Sequence, residues 1–370
     1  MFNIKNFFYN LLIEQEESKL RKALLIPLCL LSFFYGWALS LRTFLYARGV
    51  FRTRSLPCKV VSVGNITLGG TGKTPFVCLL AEMIRGWGFR VAVLSRGYKG
   101  NFPGAFSLVS DGERILQEAG QAGDEPYLLA EKLQGVPVIV GKKRWVSGQY
   151  AVDRFRAEVV ILDDGFQHLP LKKDLDLLLI DSSCPYGNGY LFPRGTLREP
   201  RSRLSRAEAI ILTKVGQSGS IETVKKNLLP IADGRPIFQA DFAPGEIRVY
   251  GEKIPLPPES LRGKRVVAFA GVAKPESFRR TLLGLNAEII RLETFPDHYG
   301  YHQKDGERLW RMARQSAADA LVTTEKDFVR ARGVIPNSIP LWALSIHHVF
   351  LGDGQRRFEE FLFKHLGLEA

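Results

Sequence analysis

Lys73 and Thr74 close a glycine-rich run, Gly64-Asn65-Ile66-Thr67-Leu68-Gly69-Gly70-Thr71-Gly72-Lys73-Thr74. Glycines let backbone amides approach phosphate oxygens, a lysine can reach the outer phosphates, and a threonine hydroxyl can hold Mg²⁺. That chemistry assigns Thr67, Leu68, Gly69, Gly70, Thr71, Gly72, Lys73 and Thr74 to a nucleotide phosphate tail, with Thr74 also on the metal. The usual spacing, G-x-x-x-x-G-K-[ST], puts its first glycine on Thr67, so a glycine turn that binds nothing is the plain alternative. Asp163 and Asp164 end the apolar run Glu158-Val159-Val160-Ile161-Leu162. Two acids at the end of a buried strand repel unless a cation sits between them, and enzymes with a phosphate loop keep their Mg²⁺-organising acid there. Asp124 and Glu125, in Gly123-Asp124-Glu125-Pro126, are helix caps or, if their loop faces the phosphates, a base and a metal ligand. Five arginines lie within the 13 residues from Arg194 to Arg206 and suit a phosphorylated ligand or headgroup; a solvated basic face is the alternative. Arg96 puts a cation at a strand end, and His298, in Phe295-Pro296-Asp297-His298-Tyr299, is either a structural histidine or a working one.

The elements that must position these groups follow from apolar periodicity. Cys58 to Val63 is a strand before the glycine loop, and Pro75 to Arg85 is a helix that stops near Gly86 and Gly88. Further strands are expected at Phe89–Ser95, Val136–Val140, Glu158–Asp163, Asp176–Asp181 and Ala209–Lys214, with a helix over Tyr127–Leu133. The polar stretch after Lys214 holds two short strands, Pro236–Ala240 and Ile247–Tyr250. A second α/β unit starts at Val266–Ala273, continues with a helix from Pro275 and the strand Glu288–Leu292, and ends another strand in Glu325-Lys326-Asp327. The expected fold class is α/β: a P-loop NTPase-like parallel sheet domain and a second, smaller α/β domain, joined by a β-strand linker and preceded by a membrane-associated helix. The expected boundaries are 1–55 for the helix, 56–218 for the phosphate-loop domain, 219–262 for the linker and 263–370 for the second domain.

Composition agrees with two cores: 370 residues, 45% hydrophobic and 24% charged. Cys29, Cys58, Cys78 and Cys184 are scattered without a C-x-x-C, which points to a reducing compartment and to neither a disulfide framework nor a zinc site. A formal charge of +13 calls for an anionic partner: nucleic acid, a phosphorylated substrate or an anionic membrane. Ala23 to Leu41 is nearly all apolar, with Arg21 and Lys22 before it and Arg42, Arg48, Arg52 and Arg54 after. It is borderline for a span and is interrupted by Pro27 and Gly36, so we read it as a helix in or dipping into an anionic leaflet. Docking on the protein's own core is the alternative.

Other phosphate-loop classes lack support. Thr213-Lys214-Val215-Gly216 has no Asp for guanine, Leu68 stands where a partition-type ATPase has lysine, and neither an ABC signature nor a helicase motif set is present. A kinase with a basic substrate site remains, with a membrane-bound nucleotide switch or binding module as the alternative. Taken in order, the glycine loop with Pro75, Leu94-Ser95-Arg96-Gly97-Tyr98, Gly123-Asp124-Glu125-Pro126, Asp163-Asp164-Gly165-Phe166-Gln167-His168, Arg194-Gly195-Thr196-Leu197-Arg198-Glu199-Pro200 and Phe295-Pro296-Asp297-His298-Tyr299 resemble the tetraacyldisaccharide 4'-kinase, or lipid A 4'-kinase, family. The resemblance runs from about residue 20 to the C-terminal region, and the short glycine spacing at Thr67 is shared with that family. It implies ATP and Mg²⁺, transfer of the γ-phosphate to the 4'-hydroxyl of a tetraacylated glucosamine disaccharide 1-phosphate, and a peripheral or monotopic place on the cytoplasmic face of a bacterial inner membrane. By resemblance Asp124 is the general base, tuned by His298. Lys73 holds phosphate, Thr74 and Asp163 organise the metal with Glu125, and Asp164 completes the catalytic set. Arg96, His168, Arg198 and Glu199 meet the substrate. The partners are then the lipid A precursor and an anionic lipid surface, without nucleic acid, and the chain is expected to act as a monomer.

Overall fold

The computed structural model describes residues 19–98 and 100–367. Its centre is a run of parallel strands: β1 (Lys59–Gly64), β2 (Val91–Ser95), β4 (Val138–Gly141), β5 (Val159–Asp163), β6 (Leu175–Asp181) and β7 (Ala209–Thr213), with β3 (Phe106–Ser110) antiparallel at one edge. Every residue of β2, β5, β6 and β7 is buried, because helices cover both faces, and a strand covered on both faces must be apolar throughout. The helices of this half are α2 (Lys73–Gly86), the short α3 (Ala119–Ala122), α4 (Asp124–Lys132), α5 (Arg144–Phe155) and α6 (Ile221–Ala232). Asp124 and Glu125 thus occupy the first turn of α4, three residues earlier than the helix expected from Tyr127.

The stretch expected to hold two short strands forms one, β8 (Ile237–Val249). The strand runs through Pro244-Gly245, because a register shift between Leu344 and Ile346 on the facing strand accommodates the proline. Ile237 to Gln239 pair with β7 in parallel, and Ala240 to Val249 pair with the antiparallel β12 (Leu341–Phe350). The second half adds β9 (Arg265–Ala270), β10 (Glu288–Thr294) and β11 (Ala320–Thr324), with α7 (Pro275–Gly284), α8 (Gln303–Gln315) and α9 (Glu325–Ala331). Through β8 and β12 the twelve strands of the described residues form one sheet, in the order β10-β9-β11-β12-β8-β7-β6-β1-β5-β2-β4-β3. The last helix, α10 (Gly354–Leu366), leaves the second half: Phe358, Leu362 and Leu366 pack into the core of Val61, Phe76, Leu80 and Phe238 in the first. A division at residue 263 assigns that helix by its sequence neighbours, whereas its apolar face is buried elsewhere.

Residues Lys19–Ala47 form one helix, α1, of which Leu25–Ala47 is long and apolar enough to cross a bilayer. Most of it is not docked on the core. Phe33, Phe34 and Trp37 are 70%, 62% and 62% exposed, and among the helix residues whose burial is described only Leu25 and Ser32 are buried.

Candidate active site

The loop from β1 to α2 is pinned on one side by the basic loop. Leu68 N donates to Thr196 O at 2.7 Å and Arg198 N to Ile66 O at 2.7 Å, so Thr67 and Leu197 bridge like a strand pair. Beyond that zipper the amides of Gly69, Gly70, Thr71 and Gly72 make no hydrogen bond among the described residues, and they stand at the N-terminus of α2, the positive end of its dipole. Gly72 has a φ of +85°, and a Cβ there would lie 2.5 Å from the Phe242 ring and 2.8 Å from His348 Nε2. The glycine is therefore required by conformation and by space. Lys73 Nζ donates to Asn65 Oδ1 at 3.2 Å and lies 3.5 Å from Asp164, which draws the ammonium back along the loop.

Asp164 accepts two bonds from Arg198 Nη1, at 2.9 and 2.8 Å. Burial alone would raise its pKa, but Lys73 and Arg198 outweigh it and hold the carboxylate at about 2. Asp163 next to it behaves oppositely. Burial, then the charges of Glu125 and Asp164, push it up to about 6. Ser95 Oγ donates to Asp163 Oδ2 at 3.1 Å, while Oδ1 is buried with no hydrogen-bond partner among the described residues. An orphaned buried carboxylate oxygen is what a cation would satisfy, so Asp163 fits an Mg²⁺ ligand, with Thr74 buried at the start of α2. Among the described residues no three His, Cys, Asp or Glu side chains are grouped as a metal cage.

Across the cleft, α9 of the second half meets α4 of the first. Lys132 pairs with Glu325 at 2.9 Å, Arg332 with Glu131 at 2.8 Å, and Lys326 with Glu125. Lys326 holds the Glu125 carboxyl below the usual range, so Glu125 is here an ion-pair partner as much as a metal ligand. Asp124 is contacted by Arg330, whose Nε donates to Oδ2 at 2.6 Å. His298 reaches the same place from the loop after β10, but its Nδ1 stops 3.9 Å from Asp124 Oδ2. The family resemblance pairs Asp124 with His298; the structure also puts the Arg330 guanidinium between them. Arg330 was not legible as a site residue, although the charges Glu325 to Asp327 at a strand end marked the segment and Arg330 follows Lys326 by one helical turn.

The remaining expected residues fall in two groups. Arg96 is exposed, and His168 lies close enough to feel its charge: burial, then Arg144, Lys173, Arg42 and Arg96, lower the imidazole pKa to about 3, so His168 is neutral. Glu199 is buried and its carboxylate is taken by Arg206 Nη2 at 3.0 Å, with that guanidinium stacked on Phe166. Glu199 therefore shapes the basic loop. The same loop is tied to α1, because Ser32 Oγ donates to Leu191 O at 2.8 Å and accepts from Arg194 N at 2.9 Å. Arg144, Lys214 and Asp181 also went unread: Arg144 donates to Asp163 O at 3.1 Å, and Lys214 donates to Gly70 O at 2.7 Å and to Asp181 at 2.6 Å.

Comparison with known proteins places the chain in one family. The family model described as "Tetraacyldisaccharide-1-P 4'-kinase" (LpxK) matches residues 22–367. The chain is 41% identical over 341 residues to the "Tetraacyldisaccharide 4'-kinase" of Desulfatibacillum aliphaticivorans, covering 90% of each. It is 40% identical over 357 residues to the protein of that name from Syntrophus aciditrophicus, covering 91% of each. Among solved structures it is similar to LpxK from Aquifex aeolicus, crystallised in complex with ATP, with a TM-score of 0.71, 29% identity, and 93% of this chain and 99% of that one covered.

Proposed function

The chain belongs to the tetraacyldisaccharide-1-P 4'-kinase family, and from that premise we propose a division of labour among its residues. The reaction is transfer of the γ-phosphoryl group of ATP to the 4'-hydroxyl of a tetraacylated disaccharide 1-phosphate, a step of lipid A biosynthesis. The reading as a nucleotide switch is not favoured, since relatives matched over nine-tenths of the chain carry the kinase name.

The free amides of Gly69 to Gly72 and the Lys73 ammonium hold the phosphates, and Asp164 and Arg198 keep Lys73 aimed along the loop. Thr74 and Asp163 would hold Mg²⁺, which when bound would supply charge neutralisation at the phosphates. Glu125 joins them only if Lys326 yields its carboxylate. Asp124, contacted by Arg330, takes the proton of the sugar hydroxyl as its oxygen bonds to the γ-phosphorus and the bond from that phosphorus to the β,γ-bridging oxygen breaks, ADP leaving with the electron pair; His298 stands beside it. Arg96 and neutral His168 face the disaccharide. We assign the catalytic half to 56–218, the linker to 219–262 and the closing half to 263–370, with α10 as a strap back onto the first half. The chain works as a monomer on the cytoplasmic face of the inner membrane. In support, exposed Phe33, Phe34 and Trp37 of α1 are continued by exposed Tyr190 and Phe192, and Arg42 and Arg48 flank them for anionic headgroups.

One observation carries the reading: free loop amides stand at a helix N-terminus in the same site as a buried Asp163 oxygen without a donor, an anion cradle next to a cation seat. The test is incubation with [γ-³²P]ATP and the disaccharide lipid, followed by chromatography of the lipid phase. Labelled lipid is the expected result. Label released only as inorganic phosphate would point instead to a nucleotide switch.

A further inference from the structure

We propose that Arg330 is a positioning residue of the transfer reaction, which holds Asp124 and His298 in one arrangement by donating to both across the cleft. The inference rests on the reading of Asp124 as the base.

The three guanidinium nitrogens each have a partner. Nε donates to Asp124 Oδ2 at 2.6 Å, Nη2 to His298 Nδ1 at 3.2 Å, and Nη1 lies 3.4 Å from Asp327 Oδ1. The side chain is only 7% exposed, so these contacts are not shared with bulk water. Asp327 is fully buried and anchored by Gly271 N at 2.9 Å, Thr324 Oγ1 at 2.7 Å and Tyr301 Oη at 3.1 Å, which fixes the fork from behind. Arginine has no acceptor, so the imidazole nitrogen facing it must be the one without hydrogen. His298 is thereby held with its proton on Nε2. Its Nδ1, 3.9 Å from Asp124, makes no direct hydrogen bond to the carboxylate, and the two side chains are joined through the guanidinium. The backbone at His298 has a φ of +57°, a conformation a non-glycine residue keeps only when its surroundings hold it.

Arg330 occupies one oxygen of Asp124. Among the described residues Oδ1 accepts no hydrogen bond, so the fork orients the carboxylate and leaves its second oxygen to receive the hydroxyl proton. Arg330 lies on α9 and Asp124 on α4, so this arrangement exists only when the two halves are together. A lysine could supply the charge, but its three donors sit on one freely rotating nitrogen and not in a rigid planar fork.

The rival role is a latch, an ion pair that merely helps hold the halves closed, as Lys132–Glu325 and Arg332–Glu131 do. Steady-state kinetics of Arg330→Gln, Arg330→Lys, Asp124→Asn and the Arg330→Gln/Asp124→Asn pair separates the two. For a positioning residue, Arg330→Gln lowers kcat roughly 10- to 100-fold while KM for ATP and for lipid stays within about twofold. Arg330→Lys recovers part of the loss, and adding Arg330→Gln to Asp124→Asn changes kcat by less than about twofold, because its partner is already disabled. A latch lowers kcat or raises both KM values by the same factor in either background, and that result overturns the proposal. If Arg330→Gln does not fold, Arg330→Lys in the two backgrounds gives the same comparison. In a ¹⁵N spectrum of the wild-type protein, with His298→Gln to assign the ring among six histidines, Nδ1 is expected as the unprotonated nitrogen, and a protonated Nδ1 overturns the proposal equally. Should Asp124→Asn itself keep kcat within about tenfold of wild type, the assignment of the base falls and takes the inference with it. A full Asp124 defect with multiplicative Arg330 losses removes the inference alone.

Discussion

Lys73 and Asp163 do different work in the same small volume, and single substitutions should separate them. Lys73→Ala takes the only side-chain cation that the glycine loop itself presents, and loss of such a group from a preorganised site should lower transfer by about 10³-fold or more. Near-normal turnover in the folded variant would remove the loop as the ATP site. Asp124→Asn keeps shape but not proton affinity, so ATP binding should survive while kcat falls by roughly two to four powers of ten. Asp163→Asn instead weakens the metal–nucleotide complex, and added Mg²⁺ should restore part of its activity. Measuring kcat against Mg²⁺ for the two variants decides the roles; rescue of Asp124→Asn by Mg²⁺ would exchange them.

At the scale of elements, the β1–α2 loop is built against its neighbours as well as against a ligand. A methyl group at Gly72 meets Phe242 and His348 in a left-handed conformation, whereas one at Gly70 meets nothing within 4 Å. Gly72→Ala should therefore lower Tm by an amount equivalent to roughly 1–3 kcal/mol and Gly70→Ala should not, a contrast that thermal unfolding reads directly. Equal Tm values would mean that the loop is not clamped by β8 and β12. Helix α1 gives a second prediction. A chain beginning at Ser55 lacks the exposed Phe33, Phe34 and Trp37 and should lose most of its sedimentation with anionic vesicles. Undiminished sedimentation would move the anchor to Tyr190, Phe192 and the basic loop.

For the whole molecule, pH acts through a histidine that joins the shared strands to the nucleotide loop. His348, on β12, lies 2.9 Å through Nε2 from Gly72 O and is 3% exposed. Burial lowers its pKa from 6.5 to about 4. The unfolded chain then binds more protons between those values, so stability is fully present above pH 6.5 and is lost as pH falls towards 4. The loss from this group alone comes to about 2 kcal/mol at pH 5. Urea midpoints at pH 7 and pH 5 test it: His348→Gln should shrink the difference, and an unchanged difference would assign the acid sensitivity to other groups.

The local parts of this protein are written in its sequence, because burial and turn formation depend on residues a few positions apart. Runs of Val, Ile and Leu become the covered parallel strands, a glycine loop before Lys73 becomes a helix N-terminus with free amides, and an acid closing such a run, Asp163, ends at the rim of the sheet. The ordered motifs were also enough to indicate the family. Tertiary structure decided what those patterns leave open, namely partners. Periodicity says that α10 has an apolar face, not that Phe358 and Leu362 cover the first half. Two short strands, Pro236–Ala240 and Ile247–Tyr250, are what the sequence suggests until β12 is present to carry one strand through the stretch between them. Arg330 lies 206 residues from Asp124 and 32 from His298, and its place between them depends on the joining of two halves and on a buried Asp327 that aims the fork. No spacing in the chain encodes that distance, since an ion pair forms between whichever charges the packed elements bring within reach.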